Sequence, residues 1–280
     1  MVIETLHLKD RFPFLGEDGC DPVLKLYLQD NLTEMKREDD LRPVILLCPG
    51  GGYAMVSQRE AEPIALQFLP EGYQIAELTY SVPGHRFPTQ LREVAAVMEM
   101  IYENAQKWHM DTNRVAILGF SAGGHLAAHY CVDYDCPEVR AVFPESKAVN
   151  AGVLCYPVIT GTEGKSHVGT FKNLVGHYPL TAEEELKFGL YNRVTSNTPP
   201  TFIWSTATDA HVPVVSSLWY ATALAENGVP FSLHIYPKGG HGLATVDKQT
   251  NNSLGAYSHL AADWLPKAKA WLAMTFSSAE

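Results

Sequence analysis

Gly119, Phe120, Ser121, Ala122 and Gly123 spell G-x-S-x-G near the middle of the chain. The segment before them, RVAIL from Arg114 to Leu118, is apolar and rich in strand formers, whereas AGGHLAAHYCV after them has helical spacing. The bare pattern also fits glycines that merely pack an ordinary strand-to-helix turn. Between a strand and a helix it points to a serine hydroxyl lifted above a sheet on a sharp turn, where small neighbours let backbones pass closely. The chemistry would be nucleophilic attack on a carbonyl carbon. A helix that starts at the serine also turns N–H groups and its dipole towards a developing oxyanion, with the Ala122 N–H as first donor.

A second glycine cluster, Gly50, Gly51 and Gly52, lies between Pro49 and Tyr53 and follows the apolar run PVILLC (Pro43–Cys48). Successive glycines at the C-terminal end of a strand expose bare backbone N–H groups, which suits the other half of an oxyanion hole. A phosphate-binding loop is the competing idea, but the Lys-Ser/Thr that should follow it is missing, as is the G-x-G-x-x-G spacing of a dinucleotide site.

A serine hydroxyl needs a base to take its proton and an acid to orient that base. Of the eleven histidines, His241 stands out within Gly239-Gly240-His241-Gly242, directly after the apolar run FSLHIY (Phe231–Tyr236). Asp209 follows TFIWS (Thr201–Ser205) in the same way, which gives the chain order Ser, Asp, His. Asp209 fits equally a turn or helix-capping role before Pro213. His211 is a rival base, ranked below His241 because two positions from the acid is too close for the required geometry. His125 and His129 stand at i, i+4 in HLAAH without the glutamate of a zinc-protease helix, so packing beside the turn is expected there rather than a metal.

These residues need a frame. Strand-like runs at Pro43–Cys48, Gln74–Tyr80, Arg114–Leu118, Gly152–Val158, Thr201–Ser205 and Phe231–Tyr236 alternate with helix-like segments at Ser57–Leu69, Thr89–Trp108, Ala122–Asp133, Val214–Asn227 and Ala256–Met274. Such alternation predicts an α/β fold with a mainly parallel sheet covered on both faces. Val2–Leu8 and Val23–Leu28 read as an antiparallel lead-in, for about eight strands in all. Residues 161–192 are irregular, polar and partly helical; they fit a short cap over the active-site end of the sheet or a long surface connection. Tyr53, Tyr156 and Trp204 are candidate substrate-pocket walls, with core packing as the competing reading.

Composition narrows the partners. At 280 residues, with 46% hydrophobic and 19% charged side chains, the chain suits one globular domain spanning residues 1–280. A net charge of −10 disfavours nucleic acid and anionic membranes. The start, MVIETLHLKD, lacks a signal-peptide pattern and no apolar run is long enough to span a bilayer, so a cytoplasmic location is expected. Five scattered cysteines without C-x-x-C spacing fit reduced, mostly buried thiols.

With PGGGY at Pro49–Tyr53, DTNRVAILGFSAGGHLAA at Asp111–Ala128, D-x-x-V-P at Asp209–Pro213 and YPKGGHG at Tyr236–Gly242, the sequence resembles small microbial carboxylesterases. These are acetylxylan-esterase-like α/β-hydrolases related to the hormone-sensitive-lipase group. The resemblance runs over nearly the whole chain. It implies an α/β-hydrolase fold, Ser121 as nucleophile, His241 as base, Asp209 as acid, and oxyanion donors at Gly51, Gly52 and Ala122. It further implies hydrolysis of short acyl esters, such as acetyl groups on xylo-oligosaccharides, without metal or organic cofactor. Pro49 departs from the pattern, since many relatives carry a histidine before the three glycines. A prolyl-oligopeptidase-type serine peptidase shares the turn and triad order but has a large additional domain that this chain lacks. A non-catalytic ligand-binding protein on the same fold is the alternative of a different class.

Overall fold

The computed structural model describes residues 1–251 and 258–277. Eight strands form one sheet: β1 (Val2–His7), β2 (Val23–Leu28), β3 (Arg42–Cys48), β4 (Gln74–Thr79), β5 (Met110–Phe120), β6 (Ala151–Cys155), β7 (Thr201–Thr206) and β8 (Phe231–Tyr236). Their order is β1-β2-β4-β3-β5-β6-β7-β8. β2 runs antiparallel to β1 and β4, and every pairing from β4 to β8 is parallel. This is the expected α/β-hydrolase frame, with its antiparallel lead-in at one edge.

The alternation of side chains along the central strands explains why both faces need cover. Val44, Leu46, Val115 and Ile117 belong to one buried cluster, packed under the helices Thr89–Glu103, Ser121–Asp133 and Val215–Glu226. Ile45, Leu47, Ala116 and Leu118 belong to the other, covered by Glu62–Phe68 and Trp264–Ser277. Burying a large aliphatic side chain contributes roughly 1.5–3 kcal/mol, so a strand of such residues fixes its own register between the two layers.

Several expected boundaries shift for local reasons. β6 ends at Cys155 instead of Val158 because Tyr156 adopts φ 38°, which turns the chain out of the sheet. The expected helix Ser57–Leu69 is broken: a short 3-10 turn covers Gln58–Glu60, Ala61 leaves the helical region at φ −104°, ψ −111°, and the helix starts at Glu62. The helix expected to reach Trp108 stops at Glu103, where the Asn104 N–H and side chain both bond the Met100 carbonyl. The C-terminal helix begins at Trp264; Ala256 and Tyr257, which were expected to open it, lie outside the described residues.

Residues 161–192 carry two helices, Val168–Val175 and Ala182–Phe188. The second has a capping box, with Thr181 and Glu184 bonding each other's backbone N–H. No helix among the described residues is long and apolar enough to cross a membrane.

Candidate active site

Three loops at the C-terminal ends of the parallel strands meet. After β5, Ser121 takes φ 53° and opens the helix Ser121–Asp133 directly. A left-handed backbone at a non-glycine residue costs on the order of 1–3 kcal/mol and persists only where the surroundings enforce it. The turn is closely packed, since a Cβ on Gly123 would stand 2.2 Å from the carbonyl oxygens of Cys48 and Pro49. The small residue that G-x-S-x-G requires at its last position is what lets the turn pass beneath the β3 loop.

His241 arrives from the loop after β8. Its Nε2 lies 2.7 Å from Ser121 Oγ and its Nδ1 2.6 Å from Asp209 Oδ2. Asp209 divides its carboxylate between the two roles open to it in sequence. One oxygen faces His241, and the other accepts the N–H groups of His211 and Val212 at 2.9 and 3.0 Å. Burial pushes this carboxyl up, but the bond and charge of His241 and the two backbone N–H groups outweigh it, so its pKa falls below the ordinary value. His211 packs with its ring centroid 5.9 Å from that of His241 and bonds Asp209 through its backbone only.

The glycine loop completes the arrangement. Gly51 has φ 129° and its carbonyl accepts the N–H groups of Ala54 and Met55, forming a tight turn. A Cβ there would stand 2.0 Å from the Met55 carbonyl oxygen, so only glycine fits. Among the described residues, the N–H groups of Gly51, Gly52 and Ala122 donate to no protein acceptor. Gly51, Gly52, Ser121 and His241 together line a cleft of about 530 Å³, a size suited to a small-molecule ligand.

The BD-FAE family model matches residues 30–224, well over half of the chain. The chain belongs to the BD-FAE family. It is a carboxylesterase-like α/β-hydrolase.

Among its relatives, an endo-1,4-beta-xylanase B of Butyrivibrio fibrisolvens is 36% identical over 88% of this chain and 38% of that protein. An acetylxylan esterase of Xylanibacter ruminicola is 32% identical over 69% of this chain and 39% of that protein. The chain therefore spans about two fifths of the length of these curated relatives. An acetyl ester-xyloside bifunctional hydrolase from Caldicellulosiruptor lactoaceticus, a solved structure, superposes with a TM-score of 0.82 at 31% identity, covering 97% of this chain and 96% of that one.

The BD-FAE chain places other expected residues elsewhere. Tyr53, expected at the cleft wall, is buried with its hydroxyl 3.1 Å from His125 Nδ1. His125 Nε2 bonds the Phe188 carbonyl, which can only accept, so the proton sits on Nε2 and Nδ1 takes the Tyr53 O–H. Burial, with repulsion from His129, lowers the His125 pKa to about 3. Its role is packing beside the serine turn. Tyr156, the other expected wall, stands behind His241 with its ring edge-on at 5.0 Å, and Trp204 is fully buried. In each case a phenol or indole is consumed by the interior rather than offered to a ligand.

Residues that sequence reasoning passed over do line the cleft: Arg59, Glu60, His167 and Asn173. His167 and Asn173 come from the 161–192 segment, where no periodicity marked them. His167 Nδ1 lies 2.8 Å from Thr170 Oγ1 and 3.3 Å from the Thr170 backbone nitrogen. Desolvation, then repulsion from His241 and His211, pushes its pKa down. Among the described residues no cluster of three or more His, Cys, Asp or Glu side chains is arranged to hold a metal ion.

Proposed function

We propose that the protein is a serine carboxylesterase in which Ser121, His241 and Asp209 form the catalytic triad, with Gly51, Gly52 and Ala122 as oxyanion donors. The observation that carries this reading is the line of hydrogen bonds Asp209–His241–Ser121, at 2.6 and 2.7 Å.

His241 Nε2 takes the Ser121 proton as Oγ bonds the ester carbonyl carbon, and the carbonyl π electrons move onto oxygen. The backbone N–H groups hold that oxyanion. The intermediate collapses by breaking the bond to the alcohol oxygen, which receives the proton from His241, and leaves an acyl-serine. Water then attacks the acyl carbon and gives its proton to His241. Collapse returns that proton to Ser121 Oγ and releases the carboxylic acid. Asp209, held ionised, balances the imidazolium at each stage. Loss of one oxyanion donor in such a site costs on the order of 3 kcal/mol.

The substrate in this reading is a short acyl ester of a sugar, foremost an acetylated xylo-oligosaccharide. Support comes from the names of the Xylanibacter ruminicola and Caldicellulosiruptor lactoaceticus relatives and from a cleft that offers Arg59, His167 and Asn173 to hydroxyl groups. Residues 161–192 act as a short cap on one hydrolase domain. Five unpaired cysteines, four of them buried, fit a cytoplasmic setting.

The reading is tested by acetate release from acetylated xylo-oligosaccharides, beside hydrolysis of p-nitrophenyl acetate, butyrate and octanoate, by wild type and Ser121→Ala. Fast acetate release and a preference for the acetyl ester, both lost in Ser121→Ala, are expected. Equal rates in both proteins would overturn the enzyme, and a preference for octanoate would overturn the short-acyl substrate.

A further inference from the structure

Glu60 is a carboxylate that the acyl-transfer steps above do not use. It is 3% exposed and accepts two hydrogen bonds, from the Gly50 N–H to Oε2 at 2.9 Å and from the Tyr156 O–H to Oε1 at 2.7 Å. A peptide N–H can only donate. Tyr156 keeps its proton because burial, then repulsion by Glu60, raises its pKa well above the ordinary value. The same phenol oxygen accepts the Ala244 N–H at 3.0 Å.

One side chain therefore joins three loops. It grips the glycine loop at Gly50, next to the Gly51 and Gly52 donors. It grips Tyr156, whose ring stands edge-on to His241 with centroids 5.0 Å apart. Through the phenol it reaches Ala244, three residues beyond His241. Tyr156 and Ala244 both hold left-handed backbones, at φ 38° and 47°, so each needs an external hold to stay in place. A buried carboxylate is expensive to desolvate, and an apolar side chain would fill the space without supplying these acceptors.

We propose that Glu60 is a positioning residue that sets the glycine loop and the histidine loop in register, so that the oxyanion donors and His241 address the same carbonyl group. The inference rests on the triad reading given above. Glutamine cannot replace it, because two donors face the carboxylate and an amide offers one acceptor while turning its own N–H₂ against the second donor.

The test compares wild type, Ser121→Ala, Glu60→Gln, Tyr156→Phe and the double variant Glu60→Gln/Tyr156→Phe. Steady-state kcat and KM for p-nitrophenyl acetate are measured with active sites titrated to completion by an organophosphonate, beside thermal midpoints. Tyr156→Phe keeps the ring against His241 and removes only the hydroxyl. Each single variant is expected to lower kcat per titrated site about 10- to 100-fold, the scale of a misplaced reacting group, with KM changed less than about threefold. The double variant should fall within about threefold of the worse single, because both substitutions cut one link.

The inference is overturned if kcat per titrated site stays within about twofold of wild type in both single variants, however far their thermal midpoints drop. Multiplying losses in the double variant would also overturn it. If Glu60→Gln fails to fold, Tyr156→Phe alone decides by the same kcat criterion. Equal turnover by wild type and Ser121→Ala would bring down the triad reading and this inference together, a result distinct from serine-dependent turnover that ignores Glu60.

Discussion

Asn173 Nδ2 donates to the Gly52 carbonyl across 2.8 Å and so fastens the helix Val168–Val175 to the glycine loop. The bond spans 121 positions of sequence and anchors the carbonyl side of Gly52, the residue whose own N–H is a proposed oxyanion donor. Asn173→Ala removes one hydrogen bond, worth on the order of 1 kcal/mol. The expected outcome is a fall in kcat/KM of about fivefold for p-nitrophenyl acetate, with unfolding free energy lowered by about 1 kcal/mol or less. Steady-state kinetics and urea denaturation check the two parts separately.

His167 should titrate below the ordinary histidine value. Desolvation, then the two neighbouring histidines His241 and His211, oppose its charged form. The folded state thus binds fewer protons than the unfolded state between the lowered value and the ordinary one. On this group's account stability is present above that window and lost as pH falls through it. Proton NMR of the imidazole against pH measures the value directly, and a titration above the ordinary histidine value would contradict the geometry.

The glycine loop has no room for a methyl group. A Cβ at Gly51 would meet the Met55 carbonyl oxygen at 2.0 Å on a backbone of φ 129°. Gly51→Ala is expected to open this turn and lower kcat on the order of 100-fold, the scale of a lost oxyanion donor. Gly123→Ala strikes the Cys48 and Pro49 carbonyls packed against the serine turn and should cost more than about 2 kcal/mol of stability. Kinetics read the first, and denaturant unfolding the second.

Glu93 supplies a pH dependence unconnected with turnover. It is fully buried on the helix Thr89–Glu103, and desolvation raises its pKa from 4.5 to about 7 against the bond from the Ser81 N–H. Between those values the folded chain holds a proton that the unfolded chain has released, so stability falls as pH rises through the window. The full loss is about 3 kcal/mol. Glu93→Gln keeps an acceptor for Ser81 and removes the titration, so its unfolding midpoint should lie above that of wild type at pH 8 and near it at pH 5.

Ser121, Asp209 and His241 were legible in the sequence because each carries a local signal. Ser121 sits between glycines on a strand-to-helix turn, and Asp209 and His241 each follow an apolar run that becomes a strand. Glu60 had no such signal. Ser57–Leu69 reads as one helix, and only the turn of Ala61 out of helical geometry swings Glu60 inward, towards a partner 96 positions away. Tyr53 and Tyr156 point into the interior, where their hydroxyls donate hydrogen bonds to His125 and Glu60. Contacts of this kind depend on how loops from distant strands meet, which neither periodicity nor spacing records.

The proposed activation of Ser121 as a nucleophile is tested most directly by covalent labelling. Folded wild type is treated with a fluorophosphonate and the modified peptide mapped by mass spectrometry. One equivalent on the peptide containing Ser121, and none in Ser121→Ala, is the predicted result. Folded wild type that stays unlabelled, or a Ser121→Ala variant labelled to the same extent, would contradict it.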